Sequence, residues 1–227
     1  LKTLVATNPE AALTTAKNLC QKDASIPVHS IAEIFLQNNK LQEMTGFLVE
    51  CMVANRPEDG PWQTKVLELN LMHAPQVADA ILQMEKWNQF NKQKIAMLCE
   101  QKGMFQRALE NYADLKDIRR VVLNTHAIPV DWLVNYLGKM QSEWMLTCIG
   151  DLLRHNRGNL QLCVQVTAAN YQKLDLQTCL KIFEGVGSFD GIYYFLGSII
   201  NNTNDKDIYY KYIEAAAKCS QMKEVER

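Results

Sequence analysis

The residues able to carry chemistry are few, and their spacing does not suit it. Four histidines, His29, His73, His126 and His155, are scattered along 227 residues without an HxxxH or HExxH spacing, the arrangement that puts two imidazoles on one helix face toward a zinc ion. Each reads as a turn or groove histidine. Seven cysteines, at 20, 51, 99, 148, 163, 179 and 219, include no CxxC or other short pair. They predict buried thiols kept reduced in a cytosol, without disulfides or zinc. Gly185 to Gly191, GVGSFDG, has the glycines of a phosphate loop but neither a preceding strand nor a following GK[ST], and Gly187 is explained as the residue that ends a helix. No GxSxG or Cys-His-Asn signature occurs. The acidic pairs Asp114 with Asp117 and Asp205 with Asp207 fall where helix N-termini need caps and negative charge. The expectation is therefore no enzyme: no catalytic residue, no cofactor or cofactor-binding residue and no metal ligand.

Binding candidates are equally sparse. Lys116, Arg119 and Arg120 form a basic set that reads as a solvated helix face. Phe189, Tyr193, Tyr194 and Phe195, with Tyr209, Tyr210 and Tyr212 on the following helix, read as an inter-helix core. Trp62, just after a Pro-Gly-rich loop, is a contact candidate. Asn201-Asn202-Thr203 matches a glycosylation sequon, an accident in a cytosolic chain. A net charge of -1 with interspersed signs predicts neither a nucleic-acid groove nor a polybasic membrane patch. The longest nearly apolar run, Gly191 to Ile200, is about half of a bilayer span, so no membrane insertion is expected. The chain starts Leu1-Lys2-Thr3 with no basic leader and stops inside a helical pattern at Lys223 to Arg227, which predicts a piece of a longer protein.

What the sequence does build is helices joined in pairs. At Ile95 to Leu109, IAMLCEQKGMFQRAL, Ile95 and Leu98 share a helical face, Gly103 stops the helix, and Phe105, Ala108 and Leu109 begin the next. The same layout fits Ile31, Ile34, Asn39, Leu41 and Phe47, then Cys179, Ile182, Gly187, Phe189 and Ile192, and more weakly Tyr212, Ala215, Ser220 and Met222. A unit of roughly 32 residues fits two of the three intervals between the anchors Leu41, Phe105, Phe189 and Met222 and fails the third. Paired helices at such a period predict an all-α protein, a right-handed α-solenoid of stacked helix hairpins, in which each hairpin buries its apolar stripe by stacking on its neighbours.

Capping signals place about fourteen helices. Asn8-Pro9 opens the first, with asparagine as cap and proline at the first helical position. Helices follow over Val28 to Gln37 and from Leu41 to about Val53. Arg56 to Pro61, RPEDGP, predicts a long inter-helix loop. Trp62 to His73 is helical with Trp62, Val66, Leu69 and Met72 inside, and Pro75 restarts the chain as Gln76 to Met84. Asp114, Asn159, Asp175, Ser188 and Asp205 are read as further caps, and Ser220 as the start of one more helix. No stretch alternates long enough for a strand.

The residues also resemble a known family. QTKVLELNLMHAPQVADAIL at Gln63 to Leu82, LCEQKGMFQRALENYADLKDIRRVVLNTHA at Leu98 to Ala127, WLVNYLG at Trp132 to Gly138, NLQLCVQV at Asn159 to Val166, FLGSI at Phe195 to Ile199, and KYIEAAAK with KEVER between Lys211 and Arg227 are similar to clathrin heavy chains, in family order. The resemblance implies heavy-chain repeats of roughly 145 residues stacked into a curved rod. Residues 1–141 would be a first, ankle repeat, and residues 142–227 the N-terminal part of a second, distal-leg repeat. It implies a structural role in endocytosis and vesicle transport: three heavy chains form a triskelion whose legs interweave into the coat of coated pits and vesicles, on their cytoplasmic face. The partners implied for this stretch are other heavy-chain legs. Light chain and adaptors would bind the full-length protein outside it. Two other readings stand beside this one: a vesicle-tethering subunit with the same repeat, and an all-α enzyme, which would need polar residues converging in one deep pocket.

Overall fold

A computed structural model describes residues 1–22 and 27–221. Met222 and the Lys223 to Arg227 block lie outside the described residues, as does the helix expected after Ser220. Fifteen α-helices and no strand occur among the described residues, so the chain is all-α. It divides into two compact units, one of residues Leu1–Tyr112 and one beginning at Ala113.

The recurring joint has one backbone solution. Gly103 takes φ 74°, Met104 N donates to Cys99 O at 2.9 Å and Gly103 N to Glu100 O at 3.0 Å. This is the left-handed C′ turn that ties a helix's last carbonyls to the departing chain. The same pair of bonds closes the turns at Asn39 (φ 58°), Gly187 (φ 66°) and Ser220 (φ 63°). Glycine adopts this conformation without a Cβ clash, asparagine tolerates it, and serine holds it under strain. All four turn residues named from sequence are therefore left-handed.

In the first unit, α1 (Lys2–Thr7) packs on α2 (Pro9–Lys22), α3 (Val28–Gln37) on α4 (Leu41–Cys51), α5 (Gly60–His73) on α6 (Pro75–Gln83), and α7 (Lys92–Gln101) on α8 (Phe105–Asn111). Contacts of α1 with α3, α2 with α4, and α5 with α7 add a second direction of packing. All of these helices face a hairpin partner, and α1 to α5 and α7 also face the helix two places away. Phe35 and Phe47 meet at 6.1 Å between ring centroids and are fully buried, and each such side chain contributes about 1.5–3 kcal/mol.

The second unit repeats the arrangement with α9 (Leu115–Val122), α10 (Val130–Gly138), α11 (Ser142–His155), α12 (Leu160–Ala169), α13 (Leu176–Gly185), α14 (Phe189–Ile199) and α15 (Lys206–Lys218). α9 packs on α11 and α11 on α13, forming one layer, while α10 packs on α12 and α12 on α14, forming the other. α15 folds back on α14. This two-layer ladder of hairpins is the helical solenoid the period predicts.

Several local expectations need correction. Among the described residues one helix goes unnamed by the capping signals: α1, six residues with no side-chain cap, carries little local signal, and buried Val5 and packing on α2 hold it. The long loop at Arg56 to Pro61 is instead a 3-10 turn, Pro57–Asp59, leading directly into α5 at Gly60. Pro61 sits in the first turn of α5, where no backbone donor is needed. The buried face of α5 is Gln63, Val66, Leu67, Asn70 and Leu71, with Met72 turned outward. Asn159 makes no cap: its side chain is buried, donates to Leu152 O at 3.0 Å and accepts from Thr125 Oγ1 at 2.9 Å. Asn8, Asp114, Asp175, Ser188 and Asp205 do cap, each accepting a backbone N–H of the first turn.

Candidate interaction surface

The histidines stand apart in role. His29 stacks on Trp62 at 5.2 Å, with Lys65 Nζ over the indole at 4.5 Å, so Trp62 is a half-buried junction between α3 and α5. His73 and His155 end α5 and α11, and His126 lies in a 3-10 turn. All three are exposed. Among the described residues no three His, Cys, Asp or Glu side chains stand together to hold a metal ion.

In GVGSFDG, Gly187 makes the joint and Ser188 Oγ accepts from Gly191 N at 3.2 Å. Gly191 has a separate role, because an added Cβ would stand 2.6 Å from the Phe183 ring. Gly187 and Gly191 thus serve a turn and a close helix contact. Of the acids, Asp114 and Asp205 are caps, and Asp117 pairs with Arg120 at 2.7 Å. Arg119 makes a bidentate pair with Asp151 at 2.5 and 3.1 Å, and Arg154 adds a third bond to the same carboxylate at 3.1 Å. Arg119 and Arg120 therefore tie α9 to α11 and to itself, as a solvated charged face rather than an open cationic patch.

The thiols divide. Cys99, Cys148, Cys163 and Cys179 are buried, and burial pushes the first three up to about 12 and Cys179 to about 11. Such thiols are inert packing. Cys20, Cys51 and Cys219 are only half-buried, which corrects the expectation that all seven are interior.

The aromatic cluster also splits between core and surface. Phe195 is fully buried against Phe183 at 6.1 Å, and Tyr193 stacks on Tyr212 at 5.1 Å. Tyr194 (51% exposed), Tyr209 (41%), Tyr210 (71%) and Ile213 (42%) face solvent. On α15 the buried positions are Ile208, Ala215 and Ala216, so Tyr209, Tyr210 and Ile213 fall on another part of the wheel. Tyr209 Oη donates to Thr203 O at 3.1 Å, fixing its ring over the preceding turn. Aromatic residues with an apolar body and a polar tip suit a protein contact. A helical-wheel count on 206–218 separates them from the inward alanines, but it needs the packing face of α15 as input.

No helix among the described residues is long and apolar enough to cross a membrane. A family model described as "Region in Clathrin and VPS" matches residues 21–160 and 169–227. The chain is 44% identical over 230 residues to clathrin heavy chain 2 of Oryza sativa subsp. japonica, 43% over 229 residues to clathrin heavy chain 2 of Homo sapiens, and 38% over 231 residues to the clathrin heavy chain of Dictyostelium discoideum. In each case all of this chain is covered, and it spans 14% of the relative's length. With the helical ladder, the left-handed joints and this similarity from end to end, the chain belongs to the family of clathrin heavy-chain repeats.

Proposed function

We propose that this chain is a structural leg segment of a clathrin triskelion, a strut whose shape and lateral contacts help form the polyhedral coat of coated pits and vesicles. It works on the cytoplasmic face of those membranes, in endocytosis and intracellular transport. Residues 1–141 are one heavy-chain repeat, the ankle, and residues 142–227 the N-terminal part of the next. Its partners are other heavy-chain legs, while light chain and adaptors engage the full-length protein elsewhere. It performs no catalysis and needs no cofactor. The observation that carries this reading is the packing ladder inside each unit, in which helices pack on a hairpin partner or on the helix two places along, as α9, α11 and α13 do in one layer and α10, α12 and α14 in the other. A polypeptide spent this way transmits geometry, because a change at one joint alters the angle of the next hairpin and of every hairpin beyond it. Similarity to heavy chains over the whole length favours this over a tethering subunit sharing the repeat.

The test is Ala108→Pro in the full-length heavy chain. Ala108 is fully buried in α8, and its N–H donates to Met104 O at 3.0 Å. Proline removes that bond and crowds the carbonyl, at a cost of about 3 kcal/mol. Trimers are expected to form, while closed cages become rare or irregular by electron microscopy. Normal cages from trimers whose α8 is shown to be disrupted would mean that this segment does not set leg shape.

A further inference from the structure

Two of the seven thiols face one another. Cys20 of α2 and Cys51, the last residue of α4, adjoin across the contact between those helices and line the same groove. At the same level Lys17 Nζ meets Glu50 Oε1 at 2.6 Å, so the two helices are held face to face where the sulfurs lie. Both thiols are part-exposed and line an open groove with Lys17, His29, Glu50 and Arg56. Packing alone does not call for two adjoining thiols at the mouth of a charged groove.

We propose that Cys20 and Cys51 are a modification site: a dithiol that closes to a disulfide between α2 and α4 when a peroxide-class oxidant reaches the groove. The Cys20 thiolate attacks one oxygen of hydrogen peroxide. The O–O bond breaks, the sulfur becomes a sulfenic acid, and the departing hydroxide takes a proton to leave as water. The Cys51 sulfur gives up its proton and displaces hydroxide from the sulfenic sulfur, forming the S–S bond and a second water. Two thiols lose two electrons in all, and one peroxide becomes two waters.

The order of attack follows from the contact. Burial raises both thiols, and Cys51, which the neighbouring Cys20 sulfur and the Glu50 carboxylate raise further, reaches about 11. Cys20 is the first nucleophile and Cys51 the resolving thiol. Because burial keeps the thiolate scarce, the pair stays reduced through brief exposure and closes under sustained oxidant. The bridge would fasten α2 to α4 and restrain the segment between them, which holds α3 and the Asn39 joint.

The experiment treats the 227-residue chain with stepped hydrogen peroxide, blocks free thiols with N-ethylmaleimide, and maps peptides by mass spectrometry without reduction. The expected result is one crosslinked pair containing Cys20 and Cys51, formed ahead of oxidation at Cys219 and removed by dithiothreitol. The melting temperature should rise with the crosslink and return on reduction. Cys20→Ser and Cys51→Ser should each lose both effects. Because the crosslink is read in the wild-type chain, the outcome does not depend on how the variants fold. Singly blocked or sulfinic Cys20 and Cys51 without a crosslink, at peroxide that oxidises Cys219, would overturn the proposal. So would bridges from either residue to the other cysteines in equal yield.

Discussion

Replacing Gly191 with alanine probes how closely α12, α13 and α14 must meet. A Cβ at this position would lie 2.6 Å from Phe183 Cδ1, 2.8 Å from Leu160 Cδ1 and 2.9 Å from Phe183 Cε1, against about 3.5–4.0 Å for a relaxed carbon contact. The Leu160 methyl is the end of a half-buried side chain and can swing away. The Phe183 ring is fully buried and held against Phe195, so the helices must part or the ring must leave its rotamer. Overpacking of this kind costs about 1–3 kcal/mol. Alanine recovers about 1 kcal/mol of helix propensity over glycine, leaving a net destabilisation of up to about 2 kcal/mol. Two nearby glycines serve as internal standards. At Gly185 the added Cβ meets nothing within 4 Å, so Gly185→Ala should stabilise by about 0.5–1 kcal/mol. At Gly187 there is also open space, but φ is 66°, so Gly187→Ala should cost about 1–2 kcal/mol through backbone strain alone. Urea unfolding followed by circular dichroism, with m of about 1–3 kcal/mol/M, should place the Gly185→Ala midpoint above wild type and the other two below it. A Gly191→Ala midpoint at or above that of Gly185→Ala would refute the packing argument.

Leu109→Ala removes a side chain 1% exposed in α8 and should cost about 2–5 kcal/mol. Gly103→Val forces a β-branched residue to φ 74°, so it should destabilise as well, and melting within a degree of wild type for both would displace this hairpin. Asp175 is held below its ordinary value by the Thr178 hydroxyl and then the Thr178 backbone N–H. The stability it lends α13 is present above the unfolded carboxyl's pKa and lost as pH falls through the lower folded one; a carboxyl NMR titration with its midpoint at or above 3.8 would contradict this. Native-state alkylation should label Cys20, Cys51 and Cys219 while Cys99, Cys148 and Cys163, pushed up to about 12 by burial, stay protected; fast labelling of Cys163 would mean that α12 opens readily.

The sequence by itself determined the joints and most of the helices. A left-handed turn is a local event: it needs a residue such as Gly103 that tolerates positive φ, with apolar periodicity on either side, and all of that lies within a short stretch of chain. Caps such as Asp175 and Asp205 are equally local, because the side chain serves an N–H two or three residues on. The tertiary structure decided where the buried face departs from the apolar stripe. Gln63 and Asn70 lie on the inside of α5 because distant groups satisfy them: Gln63 donates to Asn55 Oδ1 and accepts from Gln89 N, and Asn70 donates to Thr45 Oγ1. A buried amide is costly without partners and acceptable with them, and those partners come from other elements. The outward turn of Tyr209 and Tyr210 likewise depends on how α15 meets α14, and the meeting of Cys20 with Cys51 on how α2 lies against α4. Local spacing encodes where a helix starts and stops, but which side of it is inside is a property of the neighbours that cover it.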